Sequence, residues 1–357
     1  MKKINIVLFG TGKVGSVLIN QVLEARESLL RQENLELNLP VIANSTTAFF
    51  RKENQEATWE TDLKTFGFPY QLQDILDYVA ERGYENLVAV DATASEEFVG
   101  NYFRLIQSGF HIVAANKIAN SKPIAFYNQL RNLLRENDRF FLYETNVGAG
   151  LPIIETLRNL HRSNEKVLKI RGVFSGSLSY IFNHFSSQDR PFSEILTEAA
   201  DKGFTEPDPR EDLSGKDVAR KLLILARELG LQKEFEEISV TDLVPHHLNG
   251  GSTLAHFQRN KSDLDPPLES IRAALAPGEV IRHVGELDIA SGSLKVGLSK
   301  EPRESALGSL RESDASFEIH TASYGAEPIV IRGAGAGTAV TARGILTDLI
   351  KLAEKLT

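Results

Sequence analysis

The chain opens on a run, Ile4–Phe9, that is apolar except at Asn5 and shows no sustained alternation. That is the pattern of a strand buried on both faces. The period then changes. Val14, Leu18, Val22, Leu29 and Leu30 recur at helical spacing and predict a helix over Lys13–Gln32. Short strands are expected at Pro40–Ala43, Leu87–Val90, Ile112–Ala115 and Phe140–Tyr143. Between them the pattern predicts helices at Ile75–Arg82, Glu96–Ser108, stopped by Gly109, and Ile124–Glu136. Strands alternating with helices imply βαβ units around a parallel sheet.

Past Gly150 the order becomes mixed. Helices are expected at Pro152–Leu160, Leu178–Phe185, Phe192–Lys202 and Asp217–Leu229. Strands are expected at Val167–Phe174, Glu279–Ile289, Leu294–Leu298, Phe317–Ala322 and Pro328–Arg332, and a last helix at Ala339–Leu356. The polar stretch Leu248–Leu268, with Pro266-Pro267, reads as a surface excursion.

Composition narrows the classes. The 357 residues allow two domains, and 42% apolar with 25% charged is ordinary for a globular chain. A formal charge of -8 without a long basic block argues against nucleic acid or a membrane surface as partner. There is no cysteine, which removes disulfides, thiol nucleophiles and thiolate metal sites. No apolar run reaches the roughly 18 residues needed to span a bilayer, and the N-terminal run reads as a strand rather than a leader. A soluble cytoplasmic protein is expected.

Gly10-Thr11-Gly12-Lys13-Val14-Gly15 follows the first strand and opens the first helix. In that context G-x-G-x-x-G is a dinucleotide fingerprint. Gly10 makes the tight turn, Gly12 admits the pyrophosphate, Gly15 lets helix pack on strand, and the helix N-terminus offers amide donors. A ligand-free glycine turn is the plain alternative. The second strand ends in Ala43-Asn44-Ser45-Thr46, where a ribose-binding acid would stand. With no carboxylate there, and Arg51 and Lys52 downstream, the balance tilts mildly toward NADP, or use of both NADP and NAD. Ala92 and Thr93 after one strand, and Asn116 and Lys117 after another, should border the cofactor. A solvated Lys117 is the plain alternative.

The second half holds the candidate chemistry. Phe204–Lys221 starts as a short loop that packs Glu206, Asp208, Glu211 and Asp212 around Pro207 and Pro209, whose rings fix φ near about -65°. Asp217 and Lys221 follow at helical spacing. They are either an ordinary surface ion pair or an oriented proton donor for an alkoxide. Ser175-Gly176-Ser177 is either a capped helix start or a carboxylate-binding turn. Glu144, with carbonyls around Gly148 and Gly150, is either a hinge or a cation site. His246-His247 reads as a loop pair, not as ligands.

These segments together resemble homoserine dehydrogenase. The resemblance covers nearly the whole chain. It rests on GTGKVGS from Gly10, AANK ending at Lys117, YETNVGAGLPII from Tyr143, GVFSGSLSYIF from Gly172, GFTEPDPREDLSGKDVARKLLILARELG from Gly203 and IRGAGAGTAVTARGILTDL from Ile331. It is strongest toward the dehydrogenase half of fused aspartokinase–homoserine dehydrogenases and the short fungal-type enzymes.

The resemblance implies an α/β fold, a Rossmann dinucleotide-binding domain plus a mixed α/β substrate and dimerisation domain. Residues 1–145 and 333–357 would form the first, 146–279 the catalytic part, and 280–332 dimerisation strands joined to its sheet. The implied activity is reversible NAD(P)H-dependent reduction of L-aspartate 4-semialdehyde to L-homoserine, in threonine, methionine and isoleucine synthesis. A Rossmann oxidoreductase for another small amino-acid aldehyde or hydroxy acid is the alternative, and a non-catalytic nucleotide-binding regulator a third reading.

Residue by residue, Lys221 would be the proton donor, Asp217 its orienter and Lys117 the lysine beside the reacting carbon. Glu206 and Asp212 would take the substrate amino group, with Gly176 and Ser177 as the substrate-binding turn. Gly337 and Thr338 would return to the nucleotide. Glu144 with the carbonyls of Val147, Ala149 and Leu151 would hold sodium. A homodimer is implied. Phe204 and Ser177 depart from the family's usual Tyr and Thr. The chain contains neither an aspartokinase sequence nor a regulatory module, so threonine feedback does not carry over.

Overall fold

The structure is a computed structural model that describes residues 1–51 and 58–356. It divides into two compact units, Met1–Asn146 with Gly337–Thr357, and Val147–Ala336.

The first unit is built on a seven-stranded sheet. Its strands are β1 (Lys2–Phe9), β2 (Leu35–Ala43), β3 (Thr47–Phe50), β4 (Phe68–Pro69), β5 (Leu87–Asp91), β6 (His111–Ala114) and β7 (Phe141–Leu142), in the order β4-β3-β2-β1-β5-β6-β7. β1 lies centrally, parallel to β2 and β5, and Ile4–Phe9 is buried throughout, including Asn5, whose amide donates to the Glu85 carbonyl at 2.6 Å. The helix Lys13–Gln32 sets Leu18, Ile19 and Val22 against the sheet, and Thr338–Lys355 adds Ile345, Leu349 and Leu352 to the same core.

Two features differ from expectation. β3 and β4 extend the sheet antiparallel beyond β2, so it is mixed rather than parallel. The helix expected over Glu96–Ser108 is two pieces, Glu96–Val99 and Tyr102–Gln107, broken at Gly100-Asn101.

The second unit is built on a six-stranded sheet of β8 (Val167–Val173), β9 (Ser239–Val240), β10 (Glu279–Asp288), β11 (Ser293–Pro302), β12 (Asp314–Thr321) and β13 (Ile329–Ala334), ordered β13-β12-β8-β10-β11-β9. Gly333 pairs with Ala315 and Ala334 with Asp314. Residues 333–336 therefore stay with this unit, and the return to the first begins at Gly337.

The stretch Leu248–Leu268 is not a surface excursion. It folds into the helix Leu254–Asn260, a 3-10 turn and the start of the helix Asp265–Ala273, and buries Leu248, Phe257, Leu264 and Leu268 in the core. Pro266-Pro267 sits in the first helical turn, where a missing N–H costs nothing. Pro209 does the same: the expected acidic loop contains a short helix, Pro209–Leu213, capped by Asp208.

Candidate active site

The carboxyl edge of the first sheet gathers four loops. Gly10, at φ +98°, turns the chain after β1, and its N–H donates to the Ala43 carbonyl at 2.8 Å. A Cβ at Gly10 would lie 2.9 Å from the Ala92 backbone and from Thr93 Cγ2, so this loop and the one after β5 are in contact. A Cβ at Gly15 would lie 1.8 Å from the Gly10 carbonyl oxygen, which makes glycine obligatory there. Gly12 has nothing within 4 Å of its Cβ position. Space is thus left only where a phosphate would approach. No acid occupies the first turn of Lys13–Gln32, so its amide donors and positive dipole are unopposed.

A buried network that the sequence did not disclose locks these loops. The Asp91 carboxylate accepts from the Thr93 N–H at 2.8 Å, the Tyr102 hydroxyl at 2.7 Å and the Asn116 amide at 3.0 Å. Burial raises the Asp91 carboxyl and holds the Tyr102 phenol well above its ordinary value. The Asn116 amide also donates to the Ser95 carbonyl, and its oxygen accepts from the Ile118 N–H. Asn116 is buried and engaged on both sides, so it shapes the loop that presents half-buried Lys117.

Asn44 is likewise spent on its own turn. Its side-chain oxygen accepts from the N–H groups of Thr46 and Thr47, both at 2.8 Å, while Ser45 is exposed beside it. Arg51 is not brought to this edge. Its N–H donates to the Pro40 carbonyl, three residues before Ala43, which is about 10 Å along the strand. Lys52 lies outside the described residues. Gly337, at φ +127°, precedes the helix Thr338–Lys355, which the Gln21 amide ties to the first helix through the Ala339 carbonyl at 3.1 Å.

In the second unit, a cavity of about 710 Å³ brings Gly176, Ser177, Glu206, Asp212, Asp217 and Lys221 together. Ser175 caps the helix Gly176–Ser187 by accepting from the Leu178 N–H. Ser177 is thereby left for another contact: its hydroxyl donates to Asp212 Oδ1 at 2.7 Å. Asp212 Oδ2 accepts the Glu206 N–H at 2.8 Å. Asp212 thus ties the recognition segment to the helix start. Its carboxyl is raised, chiefly by burial, with Asp217 and Glu211 adding repulsion. A carboxylate short of positive neighbours is suited to an incoming ammonium.

Lys221 is buried on the helix Lys216–Glu228. Its ammonium donates to Asp217 Oδ2 at 2.8 Å and to the Phe174 carbonyl at 2.9 Å. An ammonium has three donors, so one remains for an oxygen in the cavity. The plain surface-pair reading does not hold, because Lys221 is only 8% exposed and reaches backbone across the fold. Gly215, at φ +68°, starts this helix, and a Cβ there would press on Val240 and Val296 at 3.2 Å.

Asn249 and Gly250 also line the cavity, brought there by Arg210, which donates to the Leu248 and Ser252 carbonyls. His247 pairs with Asp263 at 2.9 Å on the surface and lies off the cavity. Glu144 is buried in the first unit, its N–H bound to Asp348 Oδ2 at 2.9 Å. In the second, Gly148 and Ala149 adopt consecutive left-handed φ of 77° and 53°, a conformation alanine rarely takes. Among the described residues no three His, Asp or Glu side chains cluster as metal ligands.

Comparison with known proteins matches segments of both units. Residues 152–350, more than half of the chain, match the homoserine dehydrogenase family, and residues 10–144 match its NAD-binding domain. The maize chloroplastic bifunctional aspartokinase/homoserine dehydrogenase 1 is 39% identical over 98% of this chain and 38% of its own length. The chain spans 38% to 44% of the length of such curated relatives. A crystal structure of a Candida auris protein of unknown function is 33% identical with a TM-score of 0.91, each chain covered to 99%. A hyperthermophilic archaeal homoserine dehydrogenase solved with NADPH shares the fold, at 23% identity and a TM-score of 0.75 over 99% of both chains. A glycine fingerprint on one unit, a lysine–carboxylate cavity on the other and a family match spanning both leave one assignment: the chain belongs to the homoserine dehydrogenase family.

Proposed function

We propose that the chain catalyses the reversible NAD(P)H-dependent reduction of L-aspartate 4-semialdehyde to L-homoserine, a step of threonine, methionine and isoleucine synthesis. The observation that carries this reading is Lys221, buried and aimed by Asp217 and the Phe174 carbonyl in a cavity shared with Glu206 and Asp212. Gly10–Gly15, Ala92, Thr93, Lys117, Gly337 and Thr338 would hold the dinucleotide. Bound, it supplies a hydride to the aldehyde carbon. As negative charge develops on the aldehyde oxygen, Lys221 Nζ donates a proton to it, and in the reverse direction takes it back. Asp217 keeps the ammonium oriented. Glu206 and Asp212 take the substrate ammonium, and the Gly176–Ser177 helix start faces its carboxylate.

NADPH is the proposed reductant, because no carboxylate follows β2 to repel a 2′-phosphate. With Arg51 displaced down the strand, the preference over NADH is expected to be modest. A monovalent cation such as sodium is proposed for Glu144 and the Val147, Ala149 and Leu151 carbonyls. The enzyme is proposed to work in the cytoplasm as a homodimer: β13 is an edge strand with Val330 exposed, and such edges are usually covered. Loss of NADPH absorbance with L-aspartate 4-semialdehyde tests the activity. Saturable turnover is expected, and none at any substrate concentration would overturn the reading. Sedimentation of the purified chain tests the dimer.

A further inference from the structure

A second cavity of the Val147–Ala336 unit takes no part in the chemistry above. It measures about 400 Å³ and lies between the far end of the helix Gly176–Ser187, the start of β10 and the turn after β11. Three arginines line it, Arg282, Arg303 and Arg311, in a chain whose net charge is -8.

Arg282 is the informative one. Among the described residues, two arginines are under a tenth exposed, Arg227 and Arg282. Arg227 has a carboxylate partner, Glu234, at 3.2 Å. Arg282 has only carbonyls: Nε donates to Leu307, Nη1 to Ile281 and Phe182, and Nη2 to Gly308. That accounts for four of the five N–H donors of a guanidinium. Burial and the charge of Arg303 bring its pKa down to about 10, against a smaller opposing pull from Glu301. Glu301 is itself bound to Arg171 at 2.5 Å. The acid lining the cavity, Glu312, is largely exposed and stands 3.8 Å from His184.

A buried cation that touches no carboxylate is costly, and the charge of Arg303 beside it raises that cost. An anion in the cavity would remove it. Of the hydroxyl and amide groups on the walls, Ser186, Ser187 and Asn183 donate to carbonyls, while Ser309, which accepts from Arg332 at 3.2 Å, keeps its hydroxyl proton for a ligand. Glu312 is held at a left-handed φ of 48°, its carbonyl accepting from the Asn183 amide at 2.9 Å, so the rim keeps a conformation that non-glycine residues avoid. Three guanidinium groups and the Ser309 hydroxyl around a small space match the charge and fork geometry of a phosphate group.

We propose that this cavity binds a small molecule through its phosphate group, with Arg303 and Arg311 closing on it from the rim and the remaining Arg282 N–H from the floor. Arg282 also holds the Leu307–Gly308 turn, so the test leaves it in place. The full chain, saturated with NADPH so that the nucleotide edge is filled, is titrated calorimetrically with inorganic phosphate at constant ionic strength. Parallel titrations use glycerol 3-phosphate and succinate. One saturable phosphate site per chain is expected, weakened at least about tenfold in the Arg303→Gln/Arg311→Gln variant, whose turnover without phosphate stays at the wild-type level. Tighter binding of glycerol 3-phosphate would identify a phosphate ester as the occupant, and tighter inorganic phosphate the free ion. Phosphate binding unchanged in the double variant, or succinate bound as tightly as phosphate, would overturn the proposal.

Discussion

The nucleotide-facing edge of the first unit and the cavity of the second are made from opposite materials. The edge is backbone: glycines where a Cβ would collide, one open position at Gly12, and side chains such as Asn44 and Asn116 consumed in holding turns. The cavity is polar and charged side chains that position one another, the Ser177 hydroxyl on Asp212 and Asp217 on Lys221. The difference follows from the tasks. A pyrophosphate needs close approach and dipoles, which backbone supplies at fixed geometry. A proton and an ammonium need groups that carry and exchange charge.

Removing the cavity's charge should therefore stop chemistry and spare cofactor binding. Lys221→Ala is expected to lower kcat by about 10²–10⁴-fold with NADPH affinity, followed by fluorescence, unchanged. A lowered NADPH affinity would blur the two regions.

Acid should strike both units through buried histidines. Burial holds His283 down to about 4, and His111 is lowered to about 4, first by burial and then by Arg139. Both are neutral in the fold, while the unfolded chain takes up protons below about pH 6.5. Stability fully present above pH 6.5 should fall as pH drops toward 4, by about 3 kcal/mol for His283 alone. Urea unfolding at pH 7.5 and 5 measures it, and His283→Leu should flatten the slope.

Asp212→Asn can keep both contacts, its oxygen accepting the Glu206 N–H and its amide donating to a reversed Ser177 hydroxyl, but loses the charge meant for the substrate. KM for the semialdehyde should rise about 10–100-fold, with a smaller change in kcat. A fall in kcat alone would move Asp212 from recognition to catalysis.

The glycines separate packing from binding. Gly15→Ala drives a methyl against the Gly10 carbonyl and should cost about 1–3 kcal/mol of stability. Gly12→Ala meets nothing in the protein, so thermal unfolding should stay within about 0.5 kcal/mol of wild type while KM for NADPH rises.

The smallest effects are the sharpest in sign. His111 Nδ1 accepts the Phe140 N–H at 3.0 Å, whereas both His283 ring nitrogens are buried without a partner. His111→Leu should destabilise by about 1–2 kcal/mol, and His283→Leu should stabilise by about 1 kcal/mol.

The same contrast decides what was legible in the sequence. Fingerprint glycines lie within six residues, and the helices Lys13–Gln32 and Ile124–Glu136 begin and end where their apolar period does. Those signals are local. The cavity depends on pairs distant in sequence, Ser177 with Asp212 and Phe174 with Lys221, separated by 35 and 47 residues. Residue types marked Lys221 and Asp217 as candidates, but burial and the Phe174 carbonyl are tertiary facts. The Asp91–Tyr102–Asn116 lock was hidden for the same reason.

Two misreadings share one cause. In sequence Pro209 and Pro266-Pro267 read as loop markers, yet each opens a helix. Proline is ambiguous between the two until the following turn is known. β3 and β4 were missed because strands this short carry little periodicity.

The account stands or falls on whether the cavity reads an amino group next to the carbon chain that carries the aldehyde. The direct measurement compares kcat/KM, with NADPH saturating, for L-aspartate 4-semialdehyde and for succinate semialdehyde, the same aldehyde without its amino group. Glu206 and Asp212 predict at least about a 100-fold preference for the amino compound, because without it their charge is left unmatched. Equal values for the two aldehydes would contradict the assignment of those carboxylates and the substrate they imply.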